Sequence, residues 1–279
     1  MKILITGANG YLGQGIVRAL LNGCYEITAA SQHMDYVEKD VVQRQGDIFE
    51  IDDPYTYYGK PDAVVHLAWR NGFVHNHDSH ILDLPKHCMF LQKLAASGIK
   101  QIVVLGSMHE VGFFEGSIKA DTPTNPQSRY GIAKNALRQM VQLLQKERGF
   151  VFQWIRGYYI VGNSEHGSSI FSKITEAERR GDKTFPFTSG LNQWDFLDYD
   201  DFCEQVAAIV GQQKYTGIIN ACSGRPEKLA DRVERFIQEN KYKIRLAYGT
   251  FPDRPYDSKA VWGDDAVIRE ILQERLDRQ

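Results

Sequence analysis

Residues 2–13 read Lys2-Ile3-Leu4-Ile5-Thr6-Gly7-Ala8-Asn9-Gly10-Tyr11-Leu12-Gly13. The apolar, β-branched beginning predicts a buried strand over Lys2–Thr6, and the apolar spacing that follows predicts a helix over Gly13–Leu21. Between them, Gly7 permits a sharp exit from the strand, Gly10 lets a phosphate approach the backbone, and Gly13 lets helix and strand pack closely. The helix then presents its free N–H groups and positive dipole end to that phosphate. This stretch predicts binding of a nicotinamide dinucleotide through Gly7, Asn9, Gly10, Tyr11, Leu12 and Gly13.

The same alternation of strands and helices continues through the first half of the chain. Further strands are predicted at Glu26–Ala30, Asp62–Ala68, Gln101–Gly106, Val151–Arg156 and Gly217–Ala221, and further helices at Leu84–Ala96 and Arg129–Glu147. Strands separated by helices imply right-handed crossovers, so we expect an α/β fold with a doubly wound parallel (Rossmann) sheet. Short elements and Gly-rich loops follow. The pattern predicts a dinucleotide-binding domain over residues 1–160 and a smaller C-terminal substrate-binding lobe over residues 161–279, with some elements returning to the main sheet.

Composition narrows the classes of function. The chain has 279 residues, 43% of them apolar and 24% charged, which is ordinary for a globular protein. Because its net charge is −2 and it has no block of lysine and arginine, nucleic acids and anionic membranes are not expected partners. The four cysteines form no Cys-x-x-Cys pair and predict reduced thiols. The strand at the very start and the lack of a long apolar run predict a cytoplasmic protein without a signal peptide.

The end of the second predicted strand bears on the choice between NAD and NADP. A carboxylate there would hold the adenosine ribose hydroxyls and repel a 2′-phosphate. Ser31 occupies this place, and it carries no negative charge and can donate a hydrogen bond to phosphate. Ser31 therefore favours NADP as the cofactor, with NAD as the alternative, although no arginine accompanies it.

Tyr130 and Lys134 lie one helical turn apart on the predicted helix, so their side chains share a face. A nearby ammonium group is expected to lower the pKa of a tyrosine and to make it a usable acid or base. Ser107 follows the predicted strand Gln101–Gly106, at the carboxyl edge where open α/β sheets place their ligands. Its hydroxyl could orient the substrate oxygen that exchanges a proton with Tyr130. Ser107, Tyr130 and Lys134 are therefore the predicted catalytic residues.

Taken together, the Thr-Gly-Ala-Asn-Gly-Tyr-Leu-Gly turn and the Ser/Tyr/Lys set resemble the extended short-chain dehydrogenase/reductase family. The branch most resembled contains nucleotide-sugar epimerases, dehydratases and reductases, and the resemblance covers nearly the whole chain. Gly46-Asp47-Ile48 resembles the adenine-side turn of that family, and His66-Leu67-Ala68-Trp69 resembles its HLAA stretch. The resemblance implies a homodimer, a nucleotide-diphosphate sugar as substrate, and cofactor contacts by Asp47, Ile48, Leu67, Ala68, Trp69, Tyr130 and Lys134.

Two later segments also carry the resemblance. Trp194-Asp195-Phe196 with Asp200-Asp201 resembles the RDF…DD segment of the C-terminal lobe. Arg254-Pro255-Tyr256-Asp257 resembles the RPGD segment, whose arginine meets the substrate diphosphate. An arginine of the surface could equally serve as a salt-bridge partner, so Arg254 keeps both interpretations.

Departures from the family pattern restrict the chemistry. Dehydratases carry an acid and a base directly after the catalytic hydroxyl, whereas this chain reads Ser107-Met108-His109 and has no carboxylate there. Dehydration is therefore not expected. Tyr159 stands where the family has an asparagine that grips the substrate diphosphate, and Asp83 aligns with another helix asparagine. Substrate contacts are expected from Trp69, Ser107, Met108, His109, Tyr159 and Arg254.

The histidines of the segment 75–80 form an HxHxxH pattern, through His75, His77 and His80. Zinc sites need a fourth ligand and a fixed geometry, neither of which the pattern supplies, so we expect no metal here. Because the segment follows a strand at the ligand edge, a loop facing solvent or substrate is the preferred interpretation. His66, at a strand end, is expected to be a structural hydrogen-bonding residue.

Three functions remain open from the sequence. The leading one is an NADPH-dependent reductase of a nucleotide-linked 4-keto-6-deoxy sugar, in which hydride reaches C4 and Tyr130 donates the proton. A nucleotide-sugar 4-epimerase with tightly bound NAD would use the same residues. A non-catalytic dinucleotide-sensing regulator is the third alternative, and an intact Ser/Tyr/Lys set argues against it.

Overall fold

A computed structural model of the chain describes residues 1–163, 169–252 and 258–278. Its strands are β1 (Lys2–Thr6), β2 (Glu26–Ser31), β3 (Val42–Gln45), β4 (Ala63–His66), β5 (Gln101–Ser107), β6 (Gly116–Ile118), β7 (Val151–Gly157), β8 (Tyr159–Val161), β9 (Thr184–Pro186), β10 (Gln193–Asp198), β11 (Gly217–Ala221), β12 (Pro226–Lys228), β13 (Arg245–Ala247) and β14 (Ala260–Gly263). Its α-helices are α1 (Tyr11–Leu21), α2 (Pro54–Tyr57), α3 (Ser79–Leu82), α4 (Leu84–Ala96), α5 (Arg129–Arg148), α6 (Ile170–Arg180), α7 (Tyr199–Val210), α8 (Leu229–Glu239) and α9 (Ala266–Leu276). Two 3₁₀ helices span Ile48–Glu50 and Met108–Glu110.

The main sheet has seven parallel strands in the order β11-β7-β5-β4-β1-β2-β3. After β1 the chain builds outward through β2 and β3, then crosses back to place β4 on the other side of β1. The strand order therefore reverses between β1 and β4, and open α/β sheets bind their ligands at the carboxyl edge of such a switch point. The predicted α/β fold with a doubly wound parallel sheet is confirmed.

Alternate residues of the central strands serve two separate cores. In β1, Ile3 and Ile5 pack in the cluster that includes side chains of α1, α7 and α9. Leu4 faces the opposite side, in the cluster that includes side chains of α4 and α5. Because both faces of the sheet are covered, the strand is apolar throughout instead of alternating.

The second half of the chain contributes to both parts of the molecule. Helices α7 and α9 and strand β11 join the main sheet and its core, whereas a second sheet has the order β12-β10-β14-β6 with β8 also paired to β10. Strand β6 of this second sheet comes from residues 116–118, well before the C-terminal half. The division of the chain at residue 160 stays a prediction. Across the described ranges, no helix is long and apolar enough to cross a membrane.

Candidate active site

The glycine turn adopts the geometry that its sequence predicts. Gly7 has φ +71°, and its N–H bonds to the Ala30 carbonyl at 2.8 Å, which turns the chain away from β1. A Cβ on Gly7 would lie 2.7 Å from the Ala68 nitrogen, and one on Gly13 would lie 2.2 Å from the Gly7 oxygen. Gly10 caps α1, so the first N–H groups of that helix point out of the turn. This cradle, which side chains would fill, fits the phosphates of a dinucleotide.

Other predicted cofactor residues lie around this turn. Leu67 follows β4 and donates its N–H to the Thr6 oxygen at 3.2 Å, so the Leu67-Ala68-Trp69 stretch runs against the glycines. On the other side, Ser31 ends β2 and its carbonyl accepts from the Gly46 N–H at 2.9 Å. The Asp47 carboxylate accepts from the Phe49 N–H at 2.9 Å and begins a 3₁₀ helix whose first residue, Ile48, is buried.

Loop residues also tie Asn9, Tyr11 and Leu12 into the fold. The Asn9 side-chain oxygen accepts from the Tyr36 N–H at 2.7 Å. Tyr11 donates its hydroxyl to the Gly162 carbonyl at 2.8 Å, and Leu12 packs against the core beneath α1. The turn is therefore joined to the chain that follows β8. Contact of these residues with a dinucleotide stays a prediction.

Ser107, Tyr130 and Lys134 meet at the carboxyl edge of β5. Ser107 is the last residue of that strand, and its side chain acts to lower the pKa of Tyr130. Tyr130 is the second residue of α5, a helix capped by the Ser128 hydroxyl, which accepts from the Gly131 N–H at 3.1 Å. Lys134 donates from Nζ to the Leu105 carbonyl at 2.7 Å, and its Nζ lies 5.9 Å from the centroid of the Tyr130 ring. The three predicted catalytic residues thus form one cluster.

Burial dominates the electrostatics of this cluster. Removal from water lowers the pKa of Lys134 to about 7, against which the Glu110 carboxylate acts. Burial raises the pKa of Tyr130, and the hydrogen bond with Ser107 works in the opposite direction. The sequence predicts instead that the ammonium group lowers the pKa of Tyr130. In the structure the pKa of Tyr130 is raised instead, because burial has the largest effect on it.

Four aromatic side chains surround the Tyr130 ring. His75 stacks on it at 5.4 Å between centroids, with 11° between the planes, and Trp69, His80 and His109 approach it edge-on. Lys134 also places Nζ 3.9 Å from the centroid of Trp69. Trp69 and His109 therefore lie where the sequence predicts substrate contacts, although those contacts stay predictions.

The HxHxxH histidines have separate roles. The His75 carbonyl accepts from the Tyr130 N–H at 2.9 Å, which holds the loop against α5. His80 donates from Nε2 to the Val74 carbonyl and accepts from the Trp69 indole at Nδ1. His77 accepts from the Ser79 N–H at Nδ1. In the part of the chain that the structure describes, no group of three or more metal-ligating side chains could hold a metal ion.

His87 is a buried histidine that sequence reasoning missed, and it supports the site through His66 and Trp69. His66 hydrogen-bonds at 2.8 Å with the Thr6 hydroxyl through Nδ1 and at 2.8 Å with Nδ1 of His87 through Nε2. His87 in turn stacks on Trp69 at 4.4 Å between centroids. Burial lowers the pKa of His66 well below its usual value and that of His87 to about 3, so both are neutral. His66 is the structural residue that its position predicts, while nothing in the helix pattern marks His87 as its partner.

The remaining predicted substrate residues lie in different places. Met108 is buried and packs with Val111 and Val261, so it belongs to the core next to Ser107. Tyr159 begins β8 and stacks on Trp194 at 4.5 Å between centroids, with 9° between the planes. Arg254 and the segment that resembles RPGD fall outside the described residues. Their predicted roles are not tested by the geometry.

Two acidic residues singled out in the sequence have structural partners. Asp83 is buried between α3 and α4 and forms a bidentate ion pair with Arg70. Asp195 of β10 is fully buried, and its two oxygens accept from the N–H groups of Ser223, Gly224 and Gly263 at 2.8–3.1 Å. Asp195 thereby joins the second sheet to the loop after β11.

Glu110 is the second residue that sequence reasoning missed. It lies three residues after Ser107, and its Oε1 accepts from the Ser107 N–H at 2.7 Å. The pair forms a capping box, whose Ser-x-x-Glu spacing is visible in the sequence. The carboxylate therefore holds the backbone of the serine, and it lies outside the Ser107-Met108-His109 run that matches the dehydratase acid and base.

The chain matches the model of the NAD dependent epimerase/dehydratase family over residues 3–222. It is 42% identical to the dTDP-6-deoxy-L-talose 4-dehydrogenase (NAD(+)) of Aggregatibacter actinomycetemcomitans over 271 residues, which covers 94% of this chain and 99% of that protein. It is 23% identical to the GDP-6-deoxy-D-talose 4-dehydrogenase of the same organism, over 98% of this chain and 91% of that protein.

Among solved structures, the UDP-N-acetylglucosamine 4-epimerase of Methanobrevibacter ruminantium superposes with a TM-score of 0.85 at 17% identity, covering 97% of this chain and 91% of that one. This likeness confirms the fold. The family match extends over the glycine turn, the Ser/Tyr/Lys cluster and most of the second sheet. The chain therefore belongs to the NAD dependent epimerase/dehydratase family and is an oxidoreductase of the extended short-chain dehydrogenase/reductase type.

Proposed function

We propose that this enzyme interconverts the 4-hydroxyl and 4-keto forms of a nucleotide-diphosphate-linked 6-deoxy sugar, and that it acts as the 4-keto reductase. The observation that carries the proposal is the Ser107, Tyr130 and Lys134 cluster beside the glycine turn, with no carboxylate in the Ser107-Met108-His109 run. Such a site suits proton exchange at one oxygen and lacks the acid–base pair for eliminating water. The 42% identity to a 4-dehydrogenase of a dTDP-linked 6-deoxy sugar supports the same reaction class.

A nicotinamide dinucleotide, when bound, would supply or accept the hydride at C4. As the C4 carbonyl is reduced, its electron pair moves onto the oxygen, and Tyr130 donates its proton there. Ser107 holds that oxygen through its hydroxyl, since the Ser107 oxygen already accepts from the His109 N–H at 3.3 Å and keeps its own proton to donate. Lys134 fixes the helix face against the Leu105 carbonyl, and it would hold the ribose of the nicotinamide nucleotide. Sugar oxidation runs the same steps in reverse.

The reaction can be tested by absorbance at the nicotinamide band. Purified enzyme with reduced cofactor should consume it when dTDP-, GDP-, CDP- or UDP-linked 4-keto-6-deoxy sugars are added one at a time, and we expect the dTDP sugar to be preferred. With NAD⁺ and dTDP-6-deoxy-L-talose, absorbance should rise. No change with any of these substrates in either direction would reject the proposal.

A 4-epimerase is the alternative outcome of the same experiment, because it would use the same three catalytic residues. An epimerase would be purified with the dinucleotide still bound. It would interconvert 4-hydroxy sugars without a net change in nicotinamide absorbance. Mass analysis of the denatured protein, together with chromatography of the sugar nucleotides, separates the two activities. Binding of the dinucleotide without either reaction would indicate a regulator.

We propose NAD as the working cofactor, with NADP as the competing prediction from Ser31. The name of the 42% identical relative specifies NAD(+), and this supports NAD. Ser31 carries no charge to repel a 2′-phosphate, so both dinucleotides are expected to bind. A kcat/KM at least about tenfold higher with NADPH than with NADH, a difference of about 1.4 kcal/mol, would decide for NADP.

We propose that the substrate lies between the main sheet and the C-terminal lobe of residues 161–279, and that Arg254 pairs with its diphosphate. Trp69 and His109 would contact the sugar from the Tyr130 side, and Tyr159 from the second sheet. Arg254→Lys should raise the KM for the sugar nucleotide because a lysine cannot form the bidentate pair. A KM unchanged in this variant would favour a surface salt bridge instead.

We also propose a homodimer formed through α4 and α5. Large apolar side chains are exposed on these helices and the short helix before them, at Ile81, Leu82, Met89, Ile132, Met140 and Leu143. Exposed apolar side chains on neighbouring helices are typical of a protein–protein interface.

A further inference from the structure

Glu110 is the one carboxylate among the described residues that reaches the backbone of the catalytic serine. It has no exposed surface, although a buried carboxylate is costly unless it is paired. Its Oε1 accepts two hydrogen bonds, from the Ser107 N–H at 2.7 Å and from the Trp154 indole at 2.8 Å. Both donors require an acceptor at this atom, and the residue is therefore anchored to the end of β5 and to the middle of β7.

The second oxygen of Glu110 faces two cations. Nε of Arg138 lies 3.7 Å from Oε2 and Nη2 of Arg156 lies 3.8 Å from it. Arg138 follows Tyr130 and Lys134 at intervals of four residues on α5, so it belongs to the same helix face. Burial raises the pKa of Glu110 and the Arg156 guanidinium acts against that rise. Two adjacent guanidinium groups favour the carboxylate form.

The local sequence makes room for this arrangement. A Cβ on Gly106 would lie 2.0 Å from the Trp154 indole nitrogen and 2.5 Å from Oε1 of Glu110. Only glycine before Ser107 leaves space for the indole and the carboxylate to meet beneath the serine. Glu110 thus contacts or faces each element that carries a catalytic side chain, namely the end of β5 and the inner face of α5.

We propose that Glu110 is a positioning residue, which holds Ser107 in register with the face of α5 that carries Tyr130 and Lys134. The inference rests on the proposed function for its kinetic test. Replacement by glutamine preserves an acceptor for Ser107 and Trp154 but removes the charge that retains Arg138. The kcat should then fall, while the surfaces that bind the substrate, and therefore the KM, should change little.

The charge of Glu110 affects the pKa values of Tyr130 and Lys134, which a purely structural role would leave unchanged. The Glu110 carboxylate raises the pKa of both Tyr130 and Lys134, so its loss should lower both. Among the described residues, the histidines that face this pair are His66, His75, His80, His87 and His109. None of these changes in the variants below, and the shift can be assigned to Glu110.

The kinetic test compares Glu110→Gln with Trp154→Phe, which removes one hydrogen bond to Glu110 and keeps the charge. In sugar oxidation, Glu110→Gln should lower kcat roughly tenfold or more through misplacement of the reacting groups, with KM within about twofold. The acid limb of its pH–kcat profile should move to lower pH, because a lower pKa keeps Tyr130 in the phenolate form down to a lower pH. Trp154→Phe should leave the acid limb in place. An unchanged kcat, or a lower kcat with an unshifted limb, overturns the proposal.

A readout without substrate separates this inference from the proposed function. The pKa of Lys134, about 7 in the wild type, can be followed by NMR of lysine-labelled protein and assigned with Lys134→Met. It should fall in Glu110→Gln and stay in Trp154→Phe, even if no sugar nucleotide is turned over. An unshifted pKa in Glu110→Gln contradicts the proposal. Should that variant not fold, Glu110→Asp keeps the charge but falls short of Ser107, and a kcat equal to wild type would then overturn it.

Discussion

Tyr130 is where the proposed proton transfer takes place, and its hydroxyl can be removed without changing the shape of the site. Tyr130→Phe should lower kcat by roughly 10²–10⁴-fold, the usual contribution of a positioned acid or base. Binding of NAD should remain within a few-fold, because the glycine turn and Lys134 are untouched. Turnover by absorbance and NAD affinity by calorimetry give the two numbers. Tyr57→Phe, at an exposed tyrosine of α2, is the control and should behave as wild type.

The burial of Lys134 lowers the free energy of unfolding of the protein, because its charged form is removed from water. Its pKa is about 7 in the folded chain and near 10.5 when unfolded, so between these values the unfolded state binds more protons. Stability contributed by this residue therefore rises with pH across that window, by at most about 1.4 kcal/mol per pH unit. Lys134→Met should raise the free energy of unfolding most below pH 7, and the gain should vanish towards pH 10.5. Urea titrations at several pH values measure it, and a gain that is constant with pH would contradict the assignment.

Sequence spacing predicts that Ser107, Tyr130 and Lys134 lie close together, because the position of each depends on one local pattern. Ser107 ends an apolar strand, and Tyr130 and Lys134 share a face of one helix. Glu110 and His87 matter through partners from other elements, Trp154 of β7 and His66 of β4. No periodicity within one element reports such a pairing, and these supports escaped prediction.

At the scale of elements, the glycine turn depends on backbone contact between β1 and α1. A Cβ at Gly13 would meet the Gly7 carbonyl, which is backbone and cannot move aside as a side chain could. Gly13→Ala should therefore destabilise the fold by about 1–3 kcal/mol. It should also weaken NAD binding roughly tenfold or more, equivalent to about 1.4 kcal/mol.

The matched control for this change is Gly59→Ala. Gly59 has φ +79° and open space around its missing Cβ, so alanine meets backbone strain but no neighbouring atom. Its stability should fall by about 1 kcal/mol while NAD affinity stays at the wild-type value. Thermal unfolding and calorimetry distinguish the two variants. Equal NAD affinities in both would show that the glycine turn is not the cofactor cradle.

The strands that the sequence did not predict are short and depend on pairing with distant parts of the chain. Strand β3, Val42–Gln45, has four exposed residues at the edge of the sheet and lacks the apolar run that marks a buried strand. The second sheet joins short strands far apart in the chain, such as β6 and β14. Their stability comes from long-range pairing, to which local propensity contributes little.

At the scale of the whole molecule, α5 presents apolar side chains to solvent on the side away from its core. Ile132, Met140 and Leu143 are separated by eight and three residues and so share one face. Leu143 exposes 54% of its surface in the single chain. The proposed homodimer would cover this face with the same face of a second copy, as a two-fold interface requires.

Leu143→Glu should convert the dimer to a monomer, because each interface would then bury two uncompensated carboxylates near the symmetry axis. Val42→Glu is the matched control, since Val42 has 51% exposure but lies on the edge strand β3. Sedimentation velocity of the three proteins at equal concentration gives their masses directly. We expect wild type and Val42→Glu to be dimers and Leu143→Glu to be a monomer. A monomeric wild type would reject the homodimer. A dimer that persists in Leu143→Glu would show that the interface lies elsewhere on the chain.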